Sequence, residues 1–132
     1  MASLERPVSR PRPIYLNLLA IRLPLPALVS ILHRVSGALM FLIGIPLLLW
    51  GVGAALKSGD AWTRFTTVMS NPMMKLVALV LVWSYLHHLL AGLRHLLLDL
   101  HVGLDLVPAR RSAAIVLVLG LVLTAIVAIR LW

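Results

Sequence analysis

The chain has 132 residues, of which 61% are hydrophobic and only 12% charged. A water-soluble fold of this size buries roughly 60–70% of the surface its unfolded chain exposes, too little to hide so much apolar side chain. The composition therefore excludes an ordinary soluble domain and makes lipid the solvent. The formal net charge of +8 would suggest nucleic acid in a soluble protein. Here the basic residues mostly flank apolar runs, where they read as topology signals and contacts to the lipid bilayer, so no nucleic-acid partner is expected. There is no cysteine, which excludes disulfides, thiolate metal sites and covalent haem attachment through C-x-x-C-H.

In chain order, residues 1–25 read as a cytoplasmic or interfacial arm. Its prolines and Arg22 interrupt any apolar core, and no small-residue cleavage site follows, so a signal peptide is not predicted. Three runs are then long enough to cross a hydrocarbon layer, which needs roughly 20 helical residues. They cover about 26–56, 73–98 and 112–131. The first is overlong and carries Pro46, which predicts a kink or a partly interfacial start. Residues between the spans read as loops. The expected fold class is an all-α membrane protein, with one membrane-anchor domain over 1–132 and a three-helix transmembrane region over 26–132. Arg6, Arg10, Arg12 and Arg22 precede the first span, and Arg110 and Arg111 the third. Only Lys57, Arg64 and Lys75 serve the connection between the first two. This bias predicts a cytoplasmic N-terminus, with Trp132 on the far side.

Polar residues stand inside these runs. Ser30, His33 and Arg34 fall in the cytoplasmic third of the first helix, and Arg94, His95 and Asp99 near the cytoplasmic end of the second. His88 is about 10 Å deeper than His95 at ~1.5 Å per residue. Basic side chains near helix ends often reach back to the interface, but a mid-membrane imidazole usually faces a partner, a cofactor or a pathway. On a helical projection Ser84, His88, Ala91, Gly92, His95 and Asp99 form one stripe. An imidazole beside nearly bare backbone at Ala91 and Gly92 suits coordination and close packing of a flat macrocycle; small residues at this spacing equally allow close helix packing. Neighbouring His87 has bulkier surroundings, so His88 is the better axial ligand of the two. His33, Arg34, Arg94 and His95 would then meet the propionates of a haem. The third helix has no histidine, so a second axial ligand would have to come from another polypeptide.

These residues carry a family resemblance. The elements "SILHRVSG" (Ser30, His33, Arg34, Ser36, Gly37) and "HLLAGLRHLLLD" (His88, Gly92, Arg94, His95, Asp99) resemble the cytochrome b membrane-anchor subunits of succinate dehydrogenase, respiratory complex II. The N-terminal stretch is similar too, through Arg6, Pro7, Ser9, Ile14 and Tyr15. The resemblance spans nearly the whole chain. It implies haem b with His88 as one axial ligand, a ubiquinone site containing Ser30 and Arg34, and electron transfer from succinate oxidation to ubiquinone. The implied partners are a second membrane-anchor subunit, an iron–sulfur subunit and a flavoprotein subunit, in the bacterial inner membrane. The chain departs from the pattern at His101, where a glycine is usual, and at His87, an extra histidine beside the expected ligand. Three other readings stay open on sequence: a fumarate reductase anchor using menaquinol, a small transporter or channel subunit with a polar intramembrane path, and a purely structural anchor without haem.

Overall fold

A computed structural model describes residues 22–132. Residues 1–21 of the arm expected over 1–25 lie outside the described part, and its last residue, Leu25, already opens α1. The described chain is helical throughout, with α1 at Leu25–Leu39, a π-helical turn at Met40–Gly44, then α2 (Ile45–Lys57), α3 (Gly59–Met69), α4 (Pro72–Asp99) and α5 (Leu106–Leu131). Three helical stretches are long and apolar enough to cross a membrane: the continuous Leu25–Lys57, Pro72–Asp99 and Leu106–Leu131.

The break expected near Pro46 takes the form of the π-turn. Proline has no N–H to donate, and its ring crowds the carbonyl four residues back. The turn before it widens, and the Ile45 N–H reaches five residues back to the Met40 carbonyl. The connection after α2 is more ordered than a loop. Ser58 caps α3, its Oγ accepting from the Ala61 N–H at 3.2 Å. Phe65 then lies against Gly51 of α2, T-shaped to Trp50 and stacked on Trp62. A Cβ on Gly51 would stand 2.9 Å from the Phe65 ring, so only glycine admits this contact. Helix α5 begins six residues before the apolar run, because Asp105 is extended at its N-cap and a proline at position 108 fits a first turn.

Helix α4 is central, packing on α5 along one side and on α1 along the other. The core is small: Val29, Ala91, Ala113 and Val116 are buried, with Leu90 and Leu117 packed on them. Large apolar side chains point outward instead, Leu42 68% exposed and Ile129 78%. This inversion of the soluble pattern suits helices in lipid. Burying leucine there gains little, and close approach of backbones at small residues supplies the contact energy. At the end of the bundle away from His33, Lys75 Nζ donates to the Leu131 carbonyl at 3.1 Å and sits 5.4 Å from the Trp132 ring, tying α4 to the C-terminus of α5.

Candidate functional site

The seam between α1 and α4 gathers the polar residues. Ser36 Oγ donates to the His33 carbonyl at 2.9 Å, the usual back-bond of a helical serine. His88, from α4, brings Nδ1 to within 3.0 Å of that same carbonyl and 3.3 Å of Ser36 Oγ. The His33 ring lies flat on the His88 ring, centroids 4.0 Å apart and 14° from parallel, and His95 stands edge-on to His33 at 5.2 Å. Two glycines make the seam this close. A Cβ on Gly37 would stand 2.9 Å from His88 Cε1, and one on Gly92 would stand 3.5 Å from His33 Nε2.

His33, His88 and His95 do not form a chelating set. Stacked rings cannot aim their lone pairs at one ion, and among the described residues no three His, Cys, Asp or Glu side chains converge as a metal cage. A different arrangement fits. Nδ1 of His88 is held by two oxygens, while Nε2 is neither hydrogen-bonded among the described residues nor sealed among the buried unpaired atoms. A singly coordinating imidazole has this form: one nitrogen anchored inward, the other open to an axial position on a macrocycle.

The adjacent His87 is placed otherwise. It is fully buried, stacked on Trp83 at 5.3 Å, and its Cα lies 3.9 Å from where a Cβ on Gly120 of α5 would be. Both its ring nitrogens, and the Ser84 Oγ, are buried without a well-formed hydrogen bond among the described residues. The stripe read from sequence put Ser84 and Ala91 on His88's face. The structure turns both into the helix core with His87, each 0% exposed, and Ala91 contacts the α1 and α5 core residues. Gly92 does stay on the seam, where its bare face receives His33. The reason is rotational: Ser84 is three residues from His87 and four from His88, and both spacings share a helical face. Only the neighbouring helices decide between them.

Arg94 also faces the α5 side. It is 6% exposed, its Nε donating to Ser112 Oγ at 3.0 Å and its Nη2 to the Ala109 carbonyl at 3.2 Å. Its guanidinium braces α4 to the start of α5, with His95 on the other flank of the helix. Ser30 and Arg34 lie one turn apart on α1, the serine half-buried and the arginine exposed. Asp99 closes α4, exposed. Beyond it His101 adopts φ 61°, donating to the Leu98 carbonyl, while Val102 donates to Leu97. This is a Schellman stop with histidine in the left-handed position that glycine usually takes. Sequence reasoning quoted Ser36 and Gly37 but gave them no task, and it passed over Ser112 and Gly120. The small Ser-Gly pair one turn after His33 was the available signal. For Ser112 and Gly120 there was none, because their partners lie on another helix.

Residues 8–127 match the family described as succinate dehydrogenase/fumarate reductase transmembrane subunit, and the chain belongs to that family. Among its relatives, the succinate dehydrogenase cytochrome b556 subunit of Paracoccus denitrificans is 35% identical over 115 residues, 87% of each chain. The subunit of the same name from Coxiella burnetii (strain RSA 493 / Nine Mile phase I) is 30% identical over 122 residues, 92% of this chain and 97% of the other.

Proposed function

We propose that this chain is the cytochrome b membrane anchor of a succinate:ubiquinone oxidoreductase, in which His88 supplies one axial ligand to haem b through Nε2. The observation that carries the reading is the contrast within "HH": His88 has Nδ1 tied to α1 and Nε2 open, whereas His87 has both nitrogens sealed in the core. Bound there, the haem would store and pass single electrons beside the quinone. A second histidine or other ligand would be supplied by the other membrane-anchor subunit. His33 and His95, next to His88 on the seam, and Arg34, one position beyond His33, are the residues placed to meet the propionates from this chain. Arg94, braced on Ser112, holds α4 in register instead.

Ser30 and Arg34 form the quinone edge. A guanidinium donates in a fixed fork, and the serine hydroxyl one turn away adds a second donor. Together they orient a quinone carbonyl and stabilise the negative charge it gains on reduction. Arg34 is exposed in the single chain, as a residue is that meets its ligand under a docked partner. The iron–sulfur and flavoprotein subunits would dock at this end, on the cytoplasmic side of the bacterial inner membrane. They would carry succinate oxidation, and the isolated chain would have no turnover.

The test is a pair of variants in the assembled complex. His88→Leu is expected to abolish the low-spin b-type spectrum, and His87→Leu to leave it in place; the opposite result overturns the ligand assignment. Arg34→Lys and Ser30→Ala are expected to impair succinate-to-quinone electron transfer while sparing an artificial acceptor reduced at the flavoprotein. Parental quinone reduction in both would remove the quinone assignment.

A further inference from the structure

Two oxygens of α1 face His88 Nδ1, and their chemistry is asymmetric. The His33 carbonyl, 3.0 Å away, has only lone pairs to offer. The Ser36 hydroxyl, 3.3 Å away, already directs its hydrogen to that same carbonyl at 2.9 Å, so its oxygen also turns lone pairs toward the ring. The carbonyl cannot donate to Nδ1, and the hydroxyl spends its one hydrogen on that carbonyl. A nitrogen facing two acceptors must carry the proton itself, and a neutral imidazole protonated on Nδ1 has its free lone pair on Nε2.

We infer that Ser36 and the His33 main-chain carbonyl form a positioning device that locks His88 in the Nδ1–H tautomer, aims Nε2 outward and strengthens it as a donor to iron. The inference rests on the haem reading above and deepens it. Hydrogen bonding at the far nitrogen draws the N–H proton away from the ring, which raises electron density at the coordinating nitrogen. A stronger donor favours the ferric over the ferrous state, so this contact holds the haem's midpoint potential lower than an unassisted imidazole would. Ser36 is fully buried and Gly37 follows it without a side chain, so the ring approaches the α1 backbone closely enough for the bond to form. Ser36 is a positioning residue: its hydroxyl acts through His88.

The distinguishing variant is Ser36→Ala, with Ser36→Thr as the rescue, each read in the full complex. Ser36→Ala removes one of the two acceptors on Nδ1 without adding bulk. It is expected to retain haem, to move the midpoint potential upward and to shift the low-spin g-values in electron paramagnetic resonance. Ser36→Thr keeps the oxygen and is expected to return both toward the parent. An unchanged potential and unchanged g-values in Ser36→Ala overturn the inference. Haem loss in Ala with retention in Thr supports it, because Thr restores the hydroxyl despite adding a methyl group at a buried position; haem loss in both counts against it, since position 36 would then serve packing alone. Retention of a normal spectrum by His88→Leu would instead defeat the underlying ligand assignment, a separate result.

Discussion

Two neighbouring histidines on one helix meet opposite environments. His87 enters the α4–α5 side of the bundle, where Gly120 makes room for it, Trp83 covers it and neither ring nitrogen makes a well-formed hydrogen bond among the described residues. His88, about 100° further round the helix, enters the α1 seam and finds a carbonyl and a hydroxyl. The difference teaches that depth in a membrane does not make a ligand. In the proposed ligand role an imidazole needs one nitrogen held and the other free, and His88 is the one of the pair with Nδ1 held by α1 oxygens among the described residues.

The sharpest way to break this comparison is to add one methyl group on each side. Gly37→Ala places a Cβ 2.9 Å from His88 Cε1, so the ring must move off its acceptors. Overpacking of this kind costs about 1–3 kcal/mol, and the expected outcome is loss of most low-spin haem, measured by haemochromogen content and reduced-minus-oxidised spectra. Gly120→Ala meets His87 at an ordinary 3.9 Å and is expected to keep full haem content. Equal haem loss in the two would erase the distinction between the seams.

Arg94 tests the same division by charge. Arg94→Met removes hydrogen bonds from a charged donor to Ser112 and the Ala109 carbonyl, each bond of this type contributing roughly 1.5–3 kcal/mol. The complex should lose thermal stability in detergent while its haem potential stays close to the parent. A shifted potential without destabilisation would return Arg94 to the propionates.

A smaller effect of the opposite sign is expected at His87. His87→Phe replaces two unpartnered buried nitrogens with carbon at similar volume, which removes a desolvation penalty of about 1 kcal/mol or more. Thermal stability should hold or rise, with haem content unchanged. The least effect is expected at His101, where φ is 61°. His101→Gly relieves a left-handed backbone at a cost of about 1 kcal/mol for a non-glycine residue, read as a slight rise in melting temperature.

Much of the architecture was legible from residue order. Long apolar runs dictate helices in lipid because every backbone group must be satisfied within its own segment, and Pro46 announced the irregular turn at Met40–Gly44. The helix at Gly59–Met69 was missed, since its polar face and flanking Gly and Asn read as loop while its apolar side pairs with α2. The start of α5 was placed late, because hydropathy marks where a helix is greasy and not where its hydrogen bonds begin.

By itself, the sequence determined the solvent, the three spans, the family motifs and the set of polar residues available at one end of the bundle. Those follow from composition and local periodicity. Tertiary structure alone decided which way each of these residues turns: Ala91 into the core between α1 and α5, Arg94 toward α5, Gly92 toward His33, His88 toward the Ser36 hydroxyl. A helix rotates as a rigid body, and positions three and four apart share a face almost equally. Which of His87 and His88 turns toward α1 and which toward α5 therefore depends on glycines of other helices, Gly37 and Gly120, which set where two backbones can touch.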